Sequence, residues 1–289
     1  MHGATSVNLT GDARVIARAE AVQPLVAAAA NEIERDRRLP AALLDHLHEA
    51  ELFRLLLPRS SNGIETDPVT FFHVIETIAQ ADASTAWCLS QAGGCAMSAA
   101  YLDLPVAHAI FGDDPCAVLA WGPGPNVKAV ECEGGYKVTG VWAFASGGRH
   151  ATWLGAHCPI FKADGEPKLD DSGVQQERTM LVRSQDVAWT DIWNTVGLRG
   201  TASDQFALND AFVRATLHHP RIRQGMPRER AALSHGVRHL LSGRLRRRRL
   251  RHRAGGAGLF CRYRAQQGAA GRQDSATRQR RGAVQPRPG

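Results

Sequence analysis

Gly134-Gly135-Tyr136-Lys137-Val138-Thr139-Gly140-Val141-Trp142-Ala143-Phe144-Ala145-Ser146-Gly147-Gly148 is one of two phrases on which the reading of this chain turns. The other is Asp191-Ile192-Trp193-Asn194-Thr195-Val196-Gly197-Leu198-Arg199-Gly200-Thr201-Ala202-Ser203-Asp204. In the first, Glu133-Gly134-Gly135 reads as a hairpin turn into a strand rich in aromatic and β-branched residues. The strand leaves through Ser146-Gly147-Gly148, where two glycines let the backbone turn tightly. The second phrase is a loop with Arg199 set beside Gly200, closed by Ser203 and Asp204, residue types that cap turns.

Short segments with turn signals between them surround these phrases. Ala117 to Trp121, Val127 to Cys132, Tyr136 to Phe144, Thr152 to Pro159, Thr179 to Arg183, Val187 to Thr190 and Phe206 to Val213 read as strands, and His218-His219 reads as loop. Upstream the period changes to that of helices. Ala13, Ile16, Ala19, Val22, Val26, Ala29 and Ile33 recur on one face, and a second helix is expected over Pro40 to Phe53. Asp67-Pro68 supplies an N-cap and a first-turn proline, with Val69, Phe72, Ile75 and Ala79 as the expected buried stripe. Asp82 caps a helix through Trp87 toward Tyr101, and Leu104-Pro105 opens a short helix ending near Gly112. The expected fold is therefore α+β: an N-terminal all-helical domain over 11–112, then a β-barrel-like middle domain over 113–220.

The remaining residues, 221–289, differ in kind. The chain as a whole has 289 residues, 44% hydrophobic and 22% charged, with a net charge of +7. That total hides an asymmetry. Nineteen arginines, no lysine and two acids (Glu229 and Asp274) give the last stretch +17, whereas 16 bases against 26 acids give the first 220 residues −10. Apolar periodicity fades soon after Leu241, so this stretch is expected to be disordered. Arginine without lysine is also what a GC-rich gene gives out of frame. A frame shift between about Pro220 and Arg246, truncating the functional sequence, is preferred here to a genuine polyanion-binding arm. Only Phe260 and Tyr263 interleave aromatic rings with the basic residues, so a nucleic-acid partner is not expected.

Six cysteines show no paired spacing, and no Cys/His cluster of metal-ligand type occurs. Neither a secretory signal nor an apolar run of membrane-spanning length is visible, and a cytoplasmic location with reduced cysteines is expected.

A flat ligand with apolar faces and polar edges, such as a flavin, needs an aromatic wall and a few donors. Phe144 offers the wall, Ala145 a backbone N–H, Ser146 a hydroxyl and Gly147 a close turn, while Trp121-Gly122 on a neighbouring strand offers the opposite lip. The same pattern fits a hairpin with a core phenylalanine that needs no ligand. Arg199 and Ser203 could meet an anion or a substrate, or serve as an exposed loop arginine and a turn cap. His150 could donate a proton, although a surface position is the commoner one for such a residue; Trp189 and Trp193 read as core.

Resemblance narrows these alternatives. Gly134 to Gly140 followed by Phe144-Ala145-Ser146-Gly147 resembles the middle-domain strand of the acyl-CoA dehydrogenase superfamily, and Gly197-Leu198-Arg199-Gly200-Thr201-Ala202-Ser203 resembles its later Gly-x-Arg-Gly segment. Leu39-Pro40, Glu51-Leu52-Phe53 and Ala81 to Trp87 agree with its helical opening. Ala120-Trp121-Gly122-Pro123-Gly124-Pro125-Asn126 departs from the dehydrogenases, and Phe144 to Gly147 with His150-Ala151 and Trp153 is more similar to the two-component flavin monooxygenases. The resemblance implies a flavin-dependent oxidoreductase, with FAD or FMN, that hydroxylates an aromatic small molecule using O2 and reduced flavin from a separate reductase. The alternatives are α,β-dehydrogenation of an acyl-CoA thioester, or an inactive fragment with a polyanion-binding tail. The implied family is homo-oligomeric, and its C-terminal bundle carries the catalytic base and much of the interface. No residue here matches that base, so no catalytic residue is assigned, and weak flavin binding with little turnover is expected.

Overall fold

The structure, a computed structural model, describes residues 10–220. The arginine-rich stretch and the disorder expected of it lie outside the described residues, as do residues 1–9.

Among the described residues five α-helices come first. α1 (Ala13–Asp36) starts where the Asp12 carboxylate accepts from the Arg14 N–H at 2.9 Å. It buries Val15, Ala19, Val22, Val26 and Ile33, so Val15 takes the inward place expected of Ala13, which is exposed. α2 (Ala41–Glu49) is shorter than expected, because Glu51 adopts φ 57° and breaks the helical run. The 3₁₀ turn Leu52–Arg54 then buries Arg54 without a carboxylate. Its guanidinium instead donates to the carbonyls of Ser61 (3.0 Å), Asn62 (3.1 Å) and Phe111 (2.8 Å), tying two loops together.

α3 (Pro68–Ala79) is capped by Asp67, which accepts from the Val69 and Thr70 N–H groups. Its buried face is Thr70, Phe71, Val74 and Ile78, one residue round from the expected stripe, and Phe72 is half exposed. Phe71, Val74 and Ile78 form as good an apolar row as Phe72, Ile75 and Ala79. Periodicity cannot choose between two such rows, and packing against α1 decides. α4 (Ala83–Ala96) is capped by Asp82 on the Thr85 N–H and tightens into a 3₁₀ turn over Met97–Tyr101 instead of continuing as α-helix. α5 (Leu104–Ala107) runs into one wide turn over His108–Gly112.

Eight strands follow: β1 (Leu119–Gly122), β2 (Lys128–Cys132), β3 (Gly135–Ala145), β4 (Trp153–Phe161), β5 (Glu177–Arg183), β6 (Ala188–Thr190), β7 (Asp204–Arg214) and β8 (His218–Pro220). They form one curled sheet in the order β6-β7-β3-β2-β4-β5-β8, with β1 parallel to β4. β2 is also parallel to β4, at Ile160 and Phe161, so β1 and β2 follow one another along β4. His218 and His219 are strand, not loop, because their backbones pair with Met180 and Thr179 of β5. Trp189 is 36% exposed and leans on Phe206 at the sheet edge, whereas Trp193 is buried.

Helices and sheet share one core. Val15, Ile33, Phe71 and Leu89 from the helices join Val138, Trp142, Leu154 and Phe206 from the strands in a single cluster. At its centre Trp142 of β3 stacks on Phe206, its ladder partner on β7, with centroids 5.2 Å apart. Among the described residues no helix is long and apolar enough to cross a membrane.

Gly200 is where the loop before β7 presses on this core. A Cβ there would lie 2.0 Å from Cγ2 of Ile33 and 3.0 Å from Cβ of Ser84. Gly200→Ala is expected to cost about 1–3 kcal/mol by overpacking, read as a lowered urea midpoint with unchanged slope.

Candidate functional site

The site forms where β3 ends. Trp142 pairs with Phe206 and Ala145 with Asp204, so three steps on β3 face two on β7 and a bulge falls at Ala143 and Phe144. Phe144 takes φ 60°, a conformation a bulky L-residue avoids, and its ring stands 50% exposed with its edge on Trp193 at 5.9 Å. The bulge thus turns a ring that simple alternation would have aimed otherwise. Ala145 next to it is buried.

Beyond the bulge the two phrases bind each other. The Gly147 N–H donates to the Thr201 carbonyl at 2.9 Å, and the Ser146 and Ser203 hydroxyls meet at 2.7 Å. Ser203 is 2% exposed and also touches the Thr201 hydroxyl at 2.7 Å. From the helices, Trp87 on α4 donates its indole N–H to Oγ of Ser146 at 2.9 Å.

Gly122 closes the other side. A Cβ at this position would sit 2.0 Å from the Ala143 carbonyl oxygen, so the backbone lies flush on β3 and only glycine fits. The Ala143 N–H donates to the Pro123 carbonyl at 3.0 Å, fixing the same approach. Trp121 packs its ring over Gly155 and His157, on the face of β1 that joins Leu119 and Trp153. The structure therefore brings together Gly122, Phe144, Ala145, Ser146, Gly147 and Ser203, and places the Trp121 ring in a separate cluster.

Arg199 is drawn toward α1. It donates to the Glu34 carbonyl at 3.1 Å and pairs with the Glu34 carboxylate at 3.3 Å, while its other donors reach Asn194 and the Thr195 carbonyl. The charged centre of the site is elsewhere. Asp204, buried, accepts from Arg149 Nε at 2.6 Å and from the N–H groups of Ile192 and Trp193. Arg149 also reaches Asp191 at 3.1 Å, and Asp191 takes a two-pronged contact from Arg37 beyond α1. Both arginines hold the Asp191 carboxyl below its ordinary range.

His150 is half-buried, with part of its ring turned inward. Its ring lies 5.4 Å from that of Phe53, and Nε2 is sealed from solvent without a hydrogen-bond partner. Burial, helped by nearby His48, pushes this imidazole down to about 4.

Sequence reasoning left Trp87, Thr201 and Arg149 unassigned. Their partners lie 59, 2 and 55 positions away, and only the short Thr201–Ser203 spacing leaves a local signal.

The chain is similar to several known proteins. Residues 14–102 match the acyl-CoA dehydrogenase N-terminal domain family. The flavin-dependent monooxygenase oxygenase subunit HsaA of Rhodococcus jostii (strain RHA1) is 34% identical over 196 residues, covering 68% of this chain and 49% of that protein. Indole-3-acetate monooxygenase of Pseudomonas putida is 32% identical over 63% of this chain and 44% of its own length. Among solved structures, XiaF from Streptomyces sp. in complex with FADH2 and glycerol superposes with a TM-score of 0.66 at 31% identity, covering 72% of this chain and 51% of that one. The chain spans about half the length of the curated relatives it matches. The chain is thus similar to the acyl-CoA dehydrogenase family through residues 14–102 and, over most of its described length, to the oxygenase subunits of flavin-dependent monooxygenases.

The buried imidazole makes acid stability a test of the site. Below the ordinary histidine range the unfolded chain takes up a proton that folded His150 refuses until about pH 4, so stability falls with pH across that window. Between pH 7 and pH 5 this one group should remove about 2 kcal/mol. In urea titrations at both pH values, His150→Leu should lose less stability than the unaltered protein by that amount. Equal losses would show that His150 titrates normally.

Proposed function

We propose that this protein is a flavin-dependent monooxygenase that hydroxylates an aromatic small molecule. The observation that carries the reading is the convergence at one strand end of an exposed aromatic ring, a half-buried hydroxyl and a glycine-lined backbone. Phe144 supplies a half-exposed apolar face beside Ser146, and Gly122 brings a third backbone flush against Ala143. This is the pairing of flat apolar surface with a few polar atoms that an isoalloxazine ring needs. Bound in reduced form, the flavin would supply the electrons that activate O2.

The chain's own residues then have distinct tasks. Phe144 and the bulge that turns it out give the ring a wall. Ser146 offers a polar contact at the ring edge. Asp204 and Arg149 hold both phrases in register without touching the ligand. Arg199 is tied into the scaffold, and a role for it with a substrate anion would require it to leave Glu34.

The oxygenase reading is preferred to acyl-CoA dehydrogenation because the relatives carry monooxygenase names, one of them on an indole compound. A separate flavin reductase is then the implied partner, a homo-oligomer the implied assembly and the cytoplasm the implied location. FAD is the form to test first, since XiaF binds FADH2, with FMN as the alternative.

Anaerobic titration of the full chain with reduced FAD tests the reading. Weak binding is expected, with slow hydroxylation of an aromatic substrate when O2 is admitted with a reductase present, because this chain spans about half the length of its relatives. Reduction of bound FAD by an acyl-CoA thioester alone would instead favour the dehydrogenase. Phe144→Asn removes the wall while placing at φ 60° a residue that tolerates it. It should leave the melting temperature unchanged or higher and weaken FAD binding about tenfold, the worth of roughly 1.4 kcal/mol of aromatic contact.

A further inference from the structure

A cavity of about 340 Å³ opens between the end of α1, the start of α2 and the loop before β7. Its size falls in the range of small-molecule sites. Phe144 and Ser146 lie outside its walls. The loop serves both places: Thr201 and Ser203 hold the strand end, whereas their neighbours Gly200 and Ala202 line the cavity.

Much of the wall is apolar. Leu39, Pro40 and Leu44 contribute from the helical side and Ala202 from the loop. Ala202 takes φ 42°, where glycine would be free of strain, so the methyl in this wall is kept at a cost. The charges around the cavity cancel. Arg149 is committed to Asp204 and Asp191. Asp36 is committed to Arg35 through hydrogen bonds of 2.8 and 3.0 Å. That leaves Arg38 and Glu32, one of each sign and both exposed. An ionic ligand gains little from such a pair and would still lose its hydration. A guanidinium in the wall favours the face of an aromatic ring over a saturated one.

His150 supplies the polar contact. The residue lines the cavity, but its Nε2 is sealed from solvent. Nδ1 is therefore the atom through which the ring can meet a ligand. Burial holds the imidazole neutral until about pH 4, so in neutral solution it offers a hydrogen bond and no charge. We propose that this cavity is a second ligand site, apart from the strand end, that takes a small uncharged aromatic alcohol with its hydroxyl on His150. The inference does not depend on the flavin reading, because none of these groups is assigned to the flavin.

The test is calorimetric titration of the full chain, without flavin, using naphthol as the probe. Naphthol should bind about tenfold more tightly than decalol, its saturated counterpart, and than the naphthoate anion. Ala41 lines the cavity from an exposed position at the start of α2, so Ala41→Trp fills the space without touching the core. This variant should lose naphthol binding and keep its melting temperature. His150→Leu retains the bulk and removes the hydrogen bond; it should weaken naphthol about tenfold and leave naphthalene binding in place. Phe144→Asn should leave the affinity for naphthol as it is. Absence of naphthol binding, or binding untouched by both Ala41→Trp and His150→Leu, would overturn the inference while the flavin reading stands. Equal affinity for decalol would overturn the aromatic assignment. Loss of naphthol binding in Phe144→Asn alone would put the ligand at the strand end and overturn the second site.

Discussion

The buried carboxylate of Asp204 is the contact from which the rest of the structure hangs. A carboxylate removed from water is stable only when charge and hydrogen bonds replace its hydration. Here Arg149 supplies the charge at 2.6 Å and the backbone of Ile192 and Trp193 supplies the bonds. Asp204 is the first residue of β7 and the ladder partner of Ala145, so this one group sets the register at the end of β3. Through Arg149 and Asp191 it reaches Arg37, and so the end of α1. Helices, sheet and both sequence phrases are thereby held to one point.

Strain and close approach gather around that point. Phe144 sits at φ 60° in a bulge, a position that costs free energy and persists because β3 and β7 are paired on both sides of it. Ala202 and Leu198 also take left-handed conformations in the loop that faces it, at φ 42° and 56°. Gly122 brings a third backbone to within contact of Ala143. Three chain segments and the Trp87 indole thus converge at the end of β3. The core behind them, built on the stacked pair Trp142 and Phe206, is rigid enough to hold this geometry.

Much of this was legible beforehand because it rests on local rules. Asp12, Asp67 and Asp82 cap their helices as their positions imply, since capping needs only neighbouring N–H groups. The hairpin into β3 follows from Glu133 and Gly134, and most strands lie within a residue or two of where alternation puts them. The signals failed where two answers were locally equal. α3 has two apolar rows, and α2 stops at a left-handed glutamate that nothing in its composition marks. His218 and His219 became strand because β5 has an open edge, a fact of the sheet and not of the dipeptide.

By itself, the sequence determined the class of fold and the order of its elements. Spacing, capping and turn chemistry act over a few residues, and the order of the motifs is a property of the chain. Tertiary structure alone decided what the site residues do. Ser146 acquires its partners from Trp87 and Ser203, 59 and 57 positions away. The Phe144 ring faces outward because of a mismatch between two strands, and Arg199 turns to Glu34 because α1 lies beside its loop. The direction of a hydroxyl's proton depends on every neighbour within hydrogen-bond reach. Those neighbours meet only when the chain is folded.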